Sequence, residues 1–166
     1  MCALPAPGGR VKTLLVLISG QGRNLQAILD AQRAGHLPLQ VCGVLSNNPD
    51  APGLKRAREA GVATGVVPHK EYIERAMFDA ALKLAAARFQ PDFIALAGFM
   101  RILGPDFIRA YQGRMLNIHP SLLPRHRGLY THRRVLEEGD AEHGASVHFV
   151  TDELDVFGLD RLVSPL

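Results

Sequence analysis

The sequence predicts an α/β fold in which a mainly parallel sheet is flanked by helices, with an antiparallel strand near the carboxyl end. Uninterrupted apolar runs such as TLLVLI at 13–18 recur along the chain, as expected of strands buried on both faces. Segments with apolar residues at helical spacing lie between them. Repeated alternation of strand and helix implies parallel pairing with crossover connections. The chain has 166 residues, 47% of them hydrophobic, enough for one compact domain with its own core.

The first strand is read at Thr13 to Ile18, ended by Ser19-Gly20. Asn24 is placed as the cap of a helix carrying Leu25, Ile28 and Leu29, which Gly35 stops. The unit returns as a strand at Val41 to Leu45, a turn at Ser46-Asn47-Asn48-Pro49, and a helix near Gly53 to Ala60. A short strand follows at Ala63 to Val67. Ile73 to Arg88 is the strongest helix, with Met77, Ala81 and Leu84 assigned to its apolar face. Gln90-Pro91 ends it, ahead of a strand at Phe93 to Ala97, a helix at Pro105 to Tyr111 and a strand at Met115 to Ile118. Ala145 to Val150 alternates apolar residues with Ser146 and His148, which predicts a strand with one solvated face. No repeats or low-complexity tracts interrupt this order.

The formal charge of +3 is small and scattered, so it does not by itself indicate nucleic acid. Cys2 and Cys42 are too few and too dissimilar in setting to form a disulfide framework, which favours a reducing compartment. Met1 to Arg10 has no apolar segment of signal-peptide length, and no later run is long enough for a bilayer span. The expectation is a soluble, cytoplasmic protein without a membrane partner. No His or Cys spacing calls for a metal.

Ser19-Gly20-Gln21-Gly22-Arg23-Asn24-Leu25 joins the first strand to its helix. Unpaired N–H groups and the helix dipole favour an anion at such a place, the glycines let a ligand approach, and Arg23 adds a charged donor. A plain tight turn is the competing reading. Leu25 stands where a dinucleotide loop has its third glycine, and the second strand ends in Ser46-Asn47 with no acidic residue for a ribose, so a monophosphate fits better.

Asn117-Ile118-His119-Pro120-Ser121-Leu122-Leu123-Pro124 begins at the carboxyl end of a predicted strand, where open α/β sheets bind ligands. Residues two apart on a strand face the same way, so Asn117 and His119 are expected to converge on one carbonyl oxygen as an oxyanion site. His148 is read as a satisfied strand histidine. Arg125, His126, Arg127, His132, Arg133 and Arg134 form a basic cluster, taken as a solvated loop beside an anionic site. Interleaved aromatics for stacking bases are lacking apart from Tyr130, which argues against a nucleic-acid partner.

The Asn-Ile-His-Pro-Ser-Leu-Leu-Pro run resembles the signature of folate-dependent formyltransferases. Leu96 to Leu103, Thr131-His132-Arg133 and Glu142 to Asp155 are similar to the glycinamide ribonucleotide branch of that family. The resemblance runs from Leu14 to Asp155 and implies the Rossmann-like formyltransferase fold. It implies transfer of a formyl group from 10-formyltetrahydrofolate, as co-substrate, to the amine of glycinamide ribonucleotide in purine synthesis. Carried over position by position, it makes Asn117 and His119 catalytic and Asp155 the carboxylate that keeps His119 protonated. Gly22, Arg23 and Asn24 would take the substrate phosphate. Arg75, Met100, Arg101, Ile102, Leu103 and Asn117 would line the folate site, although Met100, Ile102 and Leu103 read equally well as core residues.

The likeness stops at Asp155, where the family continues with a Gly-Gly-Pro-Val-Ile type segment and this chain reads Val156 to Leu166. The expected organisation is a leading segment at 1–10, a formyltransferase domain at 11–155 and an atypical tail at 156–166. A missing strand and helix are expected to leave a sheet edge unpaired and apolar surface open, lowering stability and activity. Two other readings stay open: another folate-dependent formyl enzyme, such as methionyl-tRNA formyltransferase or formyltetrahydrofolate deformylase, or a non-catalytic nucleotide-binding remnant. The oligomeric state is not legible in the sequence.

Overall fold

A computed structural model describes residues 9–128, 130–151 and 160–165, the last of these as backbone only. The elements run β1 (Lys12–Ile18), α1 (Arg23–Arg33), β2 (Leu39–Ser46), α2 (Pro52–Glu59), β3 (Thr64–Val66), a 3-10 turn (His69–Glu71), α3 (Arg75–Ala87) and β4 (Phe93–Leu96). They continue with α4 (Pro105–Ala110), β5 (Met115–His119), α5 (Thr131–Glu138), β6 (Glu142–Phe149) and β7 (Asp160–Pro165). One seven-stranded sheet takes the order β3-β2-β1-β4-β5-β6-β7. Pairing is parallel from β3 across to β5 and antiparallel for β5 with β6 and β6 with β7.

Each face of the sheet carries its own core, and alternation along β1 separates them. Leu15 and Leu17 pack with Phe78, Leu82, Phe107 and Met115 on the side of α3 and α4. Leu14, Val16 and Ile18 pack with Leu25, Leu29 and Leu54 on the side of α1 and α2. The strand order reverses between β1 and β4, so the loops after these two strands diverge and leave a crevice at their carboxyl ends.

Several expectations are corrected. The cap of α1 is Gly22, in the left-handed region at φ 72, and it makes no side-chain cap bond; Asn24 lies inside the first turn. In α3 the buried stripe is Phe78, Leu82 and Ala86, while Met77 and Leu84 are 56% and 69% exposed. The two stripes are one residue, about 100°, apart, and in an alanine-rich helix both look apolar, so periodicity alone does not separate them. Of the basic cluster read as a solvated loop, His132, Arg133 and Arg134 lie in α5. On β6 the alternation is inverted: Ser146 and His148 are buried, whereas Phe149 is 42% exposed. The edge expected to stand open beside β6 is paired with β7, from Glu142 opposite Pro165 to Val147 opposite Asp160.

Candidate active site

The glycine loop is built by backbone contact with α2. Gly53 donates its N–H to the Gly20 carbonyl at 3.0 Å, and Arg56 Nε donates to the Gln21 carbonyl at 2.9 Å. A Cβ on Gly22 would lie 2.7 Å from the Gly53 Cα, so side chains are excluded where the two backbones cross. At Gly22 the left-handed φ adds a second reason for glycine. The first turn of any helix leaves N–H groups without intrahelical partners, and in α1 these belong to the stretch holding Arg23 and Asn24, both exposed.

Ser19 joins three strand ends. Its hydroxyl donates to Asn47 Oδ1 at 2.5 Å and accepts the Met100 N–H at 2.7 Å, while its own N–H donates to the Gly98 carbonyl. The segment after β4 is thereby held against the loop after β1. Met100 and Ile102 are 66% and 64% exposed and only Leu103 is buried, so core packing accounts for one residue of the three.

The first turns of α3 brace this segment. Arg75 Nη2 donates to the Ile102 carbonyl at 2.9 Å, its Nε lies 3.6 Å from Asp79, and the Arg101 guanidinium sits over the Phe78 ring. Burial pushes the Asp79 carboxyl above its ordinary value, opposed by Arg75, by the N–H of Gly104 and by Arg101. A Cβ on Gly104 would come within 2.5 Å of Asp79 Oδ2, so that contact requires glycine.

Asn117 and His119 share a face of β5, opposite His148 and Ser146 of β6. Asn117 Nδ2 lies 3.2 Å from His148 Nε2, and His148 Nδ1 lies 3.0 Å from the Phe149 carbonyl. A carbonyl only accepts, so Nδ1 of His148 carries hydrogen and, in the neutral ring, Nε2 accepts from the Asn117 amide. This bond uses one of two amide hydrogens. His119 is 5% exposed, and its Nε2 donates to the His126 carbonyl at 3.0 Å. The expected role of Asp155 falls outside the described residues.

A cleft of about 730 Å³ opens at the crevice, lined among others by Gly20, Gly22, Arg23, Asn24, Met100, Ile118, Pro120, His132 and His143. Ile118 and Pro120 alternate with Asn117 and His119, so the cleft lies along one side of the strand end and the polar pair along the other. Of the sequence-predicted residues, Gly22, Arg23, Asn24 and Met100 meet in this cleft. Arg101, Ile102 and Leu103 follow Met100 in the segment that Arg75 braces. Reasoning from sequence gave Ser19 no bridging role and did not find Arg56, Asp79 or the contact of His132 with His143, whose Nδ1 and Nε2 atoms are 2.5 Å apart. Burial, with His132 and His126 nearby, holds His143 below its ordinary value. Arg125 and His126 pair with Asp140, and Arg133 pairs with Glu137, so much of the basic cluster is balanced internally.

The formyl transferase family model matches residues 12–157. The chain is 54% identical over 142 residues to phosphoribosylglycinamide formyltransferase of Escherichia coli (strain K12), covering 86% of this chain and 67% of that protein. It is 46% identical over 140 residues to the trifunctional purine biosynthetic protein adenosine-3 of Homo sapiens, covering 84% of this chain and 14% of that one. Among solved structures, phosphoribosylglycinamide formyltransferase from Coxiella burnetii superposes with a TM-score of 0.88 at 46% identity, over 95% of this chain and 74% of that one. Glycinamide ribonucleotide transformylase 1 from Symbiobacterium toebii gives 0.91 at 41% identity, over 96% and 79%.

Proposed function

The chain belongs to the formyl transferase family, and we propose that it transfers a formyl group from 10-formyltetrahydrofolate to the amine of glycinamide ribonucleotide, in the cytoplasm, in purine synthesis. The observation that carries this reading is the meeting of the glycine loop, Met100, Ile118 and Pro120 in one cleft, with Asn117 and His119 on the same strand end. The relatives matched favour this activity over a transfer-RNA formyltransferase or a deformylase.

In this reading the substrate phosphate rests on the first turn of α1, with Gly22 leaving space and Arg23 and Asn24 supplying donors. The folate lies against Met100, Arg101, Ile102 and Leu103, with Arg75 bracing their backbone. The amine nitrogen attacks the formyl carbon, and the carbonyl π electrons move onto oxygen. The Asn117 amide and the His119 imidazolium are the donors for that oxyanion. Collapse of the intermediate breaks the bond to the folate nitrogen, which takes up a proton, while the amine loses one. Asp155 is assigned to hold His119 charged and to accept or relay the amine proton.

Titration calorimetry with glycinamide ribonucleotide and a folate analogue, followed by a formyl-transfer assay, tests the proposal. Both ligands should bind and turnover should be abolished by His119→Ala without loss of the fold. Binding without turnover in the unaltered chain would overturn the catalytic reading in favour of a nucleotide-binding protein.

A further inference from the structure

The carbonyl that accepts from His119 Nε2 belongs to a residue with unusual backbone and unusual surroundings. His126 has φ 54, in the left-handed region that is strained for a non-glycine residue. Such a conformation persists only where neighbouring contacts impose it. Here the imidazole provides them: its side chain is 3% exposed, and its Nε2 lies 2.7 Å from Oδ2 of Asp140, itself 7% exposed. The other Asp140 oxygen takes the guanidinium of Arg125, so one carboxylate grips two consecutive side chains. Asp140 is fixed in turn by its N–H on the Val135 carbonyl of α5. Ser121 Oγ donates to the Arg125 carbonyl at 2.8 Å and faces the His126 carbonyl at 3.3 Å. Glu138 stands 3.6 Å from the remaining His126 nitrogen. His126 and Arg125 hold Asp140 below the ordinary carboxylate value, mainly through the His126 hydrogen bond.

We propose that His126 and Asp140 are positioning residues for His119: the buried imidazole–carboxylate pair locks the backbone so that the His126 carbonyl fixes the rotation of the His119 ring and keeps a hydrogen on its Nε2. The proposal rests on the reading of His119 as a catalytic group. Neither residue needs to touch a substrate, so the loss of either should lower turnover and leave binding almost unchanged.

The test uses the full chain labelled with 15N-histidine. The unaltered protein should show a solvent-protected His119 Nε2–H resonance, identified by its disappearance in His119→Gln. Asp140→Ala should lose that protection and lower kcat about tenfold or more, with both KM values within about twofold. Asp140→Asn keeps an acceptor for His126 and should restore the resonance and most of kcat. If Asp140→Ala does not melt cooperatively, His126→Phe, which keeps a buried ring but removes the Nε2 donor, should give the same losses. A protected resonance and unaltered kcat in whichever of these two variants folds would overturn the proposal, as would loss without any rescue by Asp140→Asn. If the unaltered chain transfers no formyl group, the functional reading fails, while the ring-proton measurement still decides whether Asp140 and His126 hold His119.

Discussion

The amide of Asn117 is aimed by His148: Nδ2 lies 3.2 Å from Nε2, across a register pair that joins β5 to β6. Because the other His148 nitrogen donates to the Phe149 carbonyl, an Asn117 flipped by 180° would set its oxygen against an acceptor. His148 therefore selects which end of the amide is available beside it. Asn117→Ala should lower kcat by about 10²–10³, a barrier increase of about 2.7–4 kcal/mol. His148→Phe, which removes one hydrogen bond of about 1 kcal/mol, should cost several-fold. The double variant should be no slower than Asn117→Ala alone, since both changes act through one amide. Steady-state kinetics of the four proteins check this; losses that multiply would separate the two residues.

Gly22→Ala should act on binding. The new Cβ would meet the Gly53 Cα at 2.7 Å, and the left-handed φ adds roughly 1–2 kcal/mol of strain. The expected outcome is a several-fold rise in KM for the ribonucleotide and a lower Tm, with less change in the KM for the folate. Equal effects on the two substrates would argue against a phosphate on this loop.

Asp92 ties the start of β1 to the residue before β4, accepting the Thr13 N–H at 2.8 Å, its hydroxyl at 3.2 Å, and Arg10 at 2.6 Å. The Thr13 N–H foremost, then its hydroxyl, Arg10 and Lys12, hold this carboxyl below its ordinary value of 3.8. A depressed folded value means that the ionised form is favoured by folding, so its contribution is complete above pH 3.8 and fades as pH falls through the lower folded value. Asp92→Ala should therefore unfold at lower urea concentration at pH 6, and the gap to the unaltered protein should narrow below pH 3.8. A gap that stays constant in acid would assign the effect to packing rather than charge.

The orientation of α3 gives a paired stability test. Phe78→Ala removes a side chain that is 1% exposed and should cost about 3–5 kcal/mol. Met77→Ser, one residue away on a surface position, should stay within about 0.5 kcal/mol. Urea denaturation of the two variants distinguishes this face from the one that periodicity suggested.

Much of the fold was legible because each buried strand is a short apolar run bounded by turn residues. β1, β2, β4 and β5 were located this way to within a residue or two at each end. The glycine loop and the Asn117–His119 pair were legible for a related reason, since their local spacing dictates how they project from a strand end. β6 misled because alternation says which residues share a face and not which face is buried. There the polar set, Ser146 and His148, turns inward to meet Ser121 and Asn117.

Taken alone, the sequence determined the alternating architecture and the family, and it offered a set of candidate site residues, because these depend on composition and spacing along a few residues. Tertiary structure decided what lies between distant segments: Gly53 against Gly22, Ser19 bridging Asn47 and Met100, and Asp140 gripping His126 behind His119. Those contacts join positions far apart in the chain through hydrogen-bond geometry and excluded volume. Both exist only once the strands have been laid side by side.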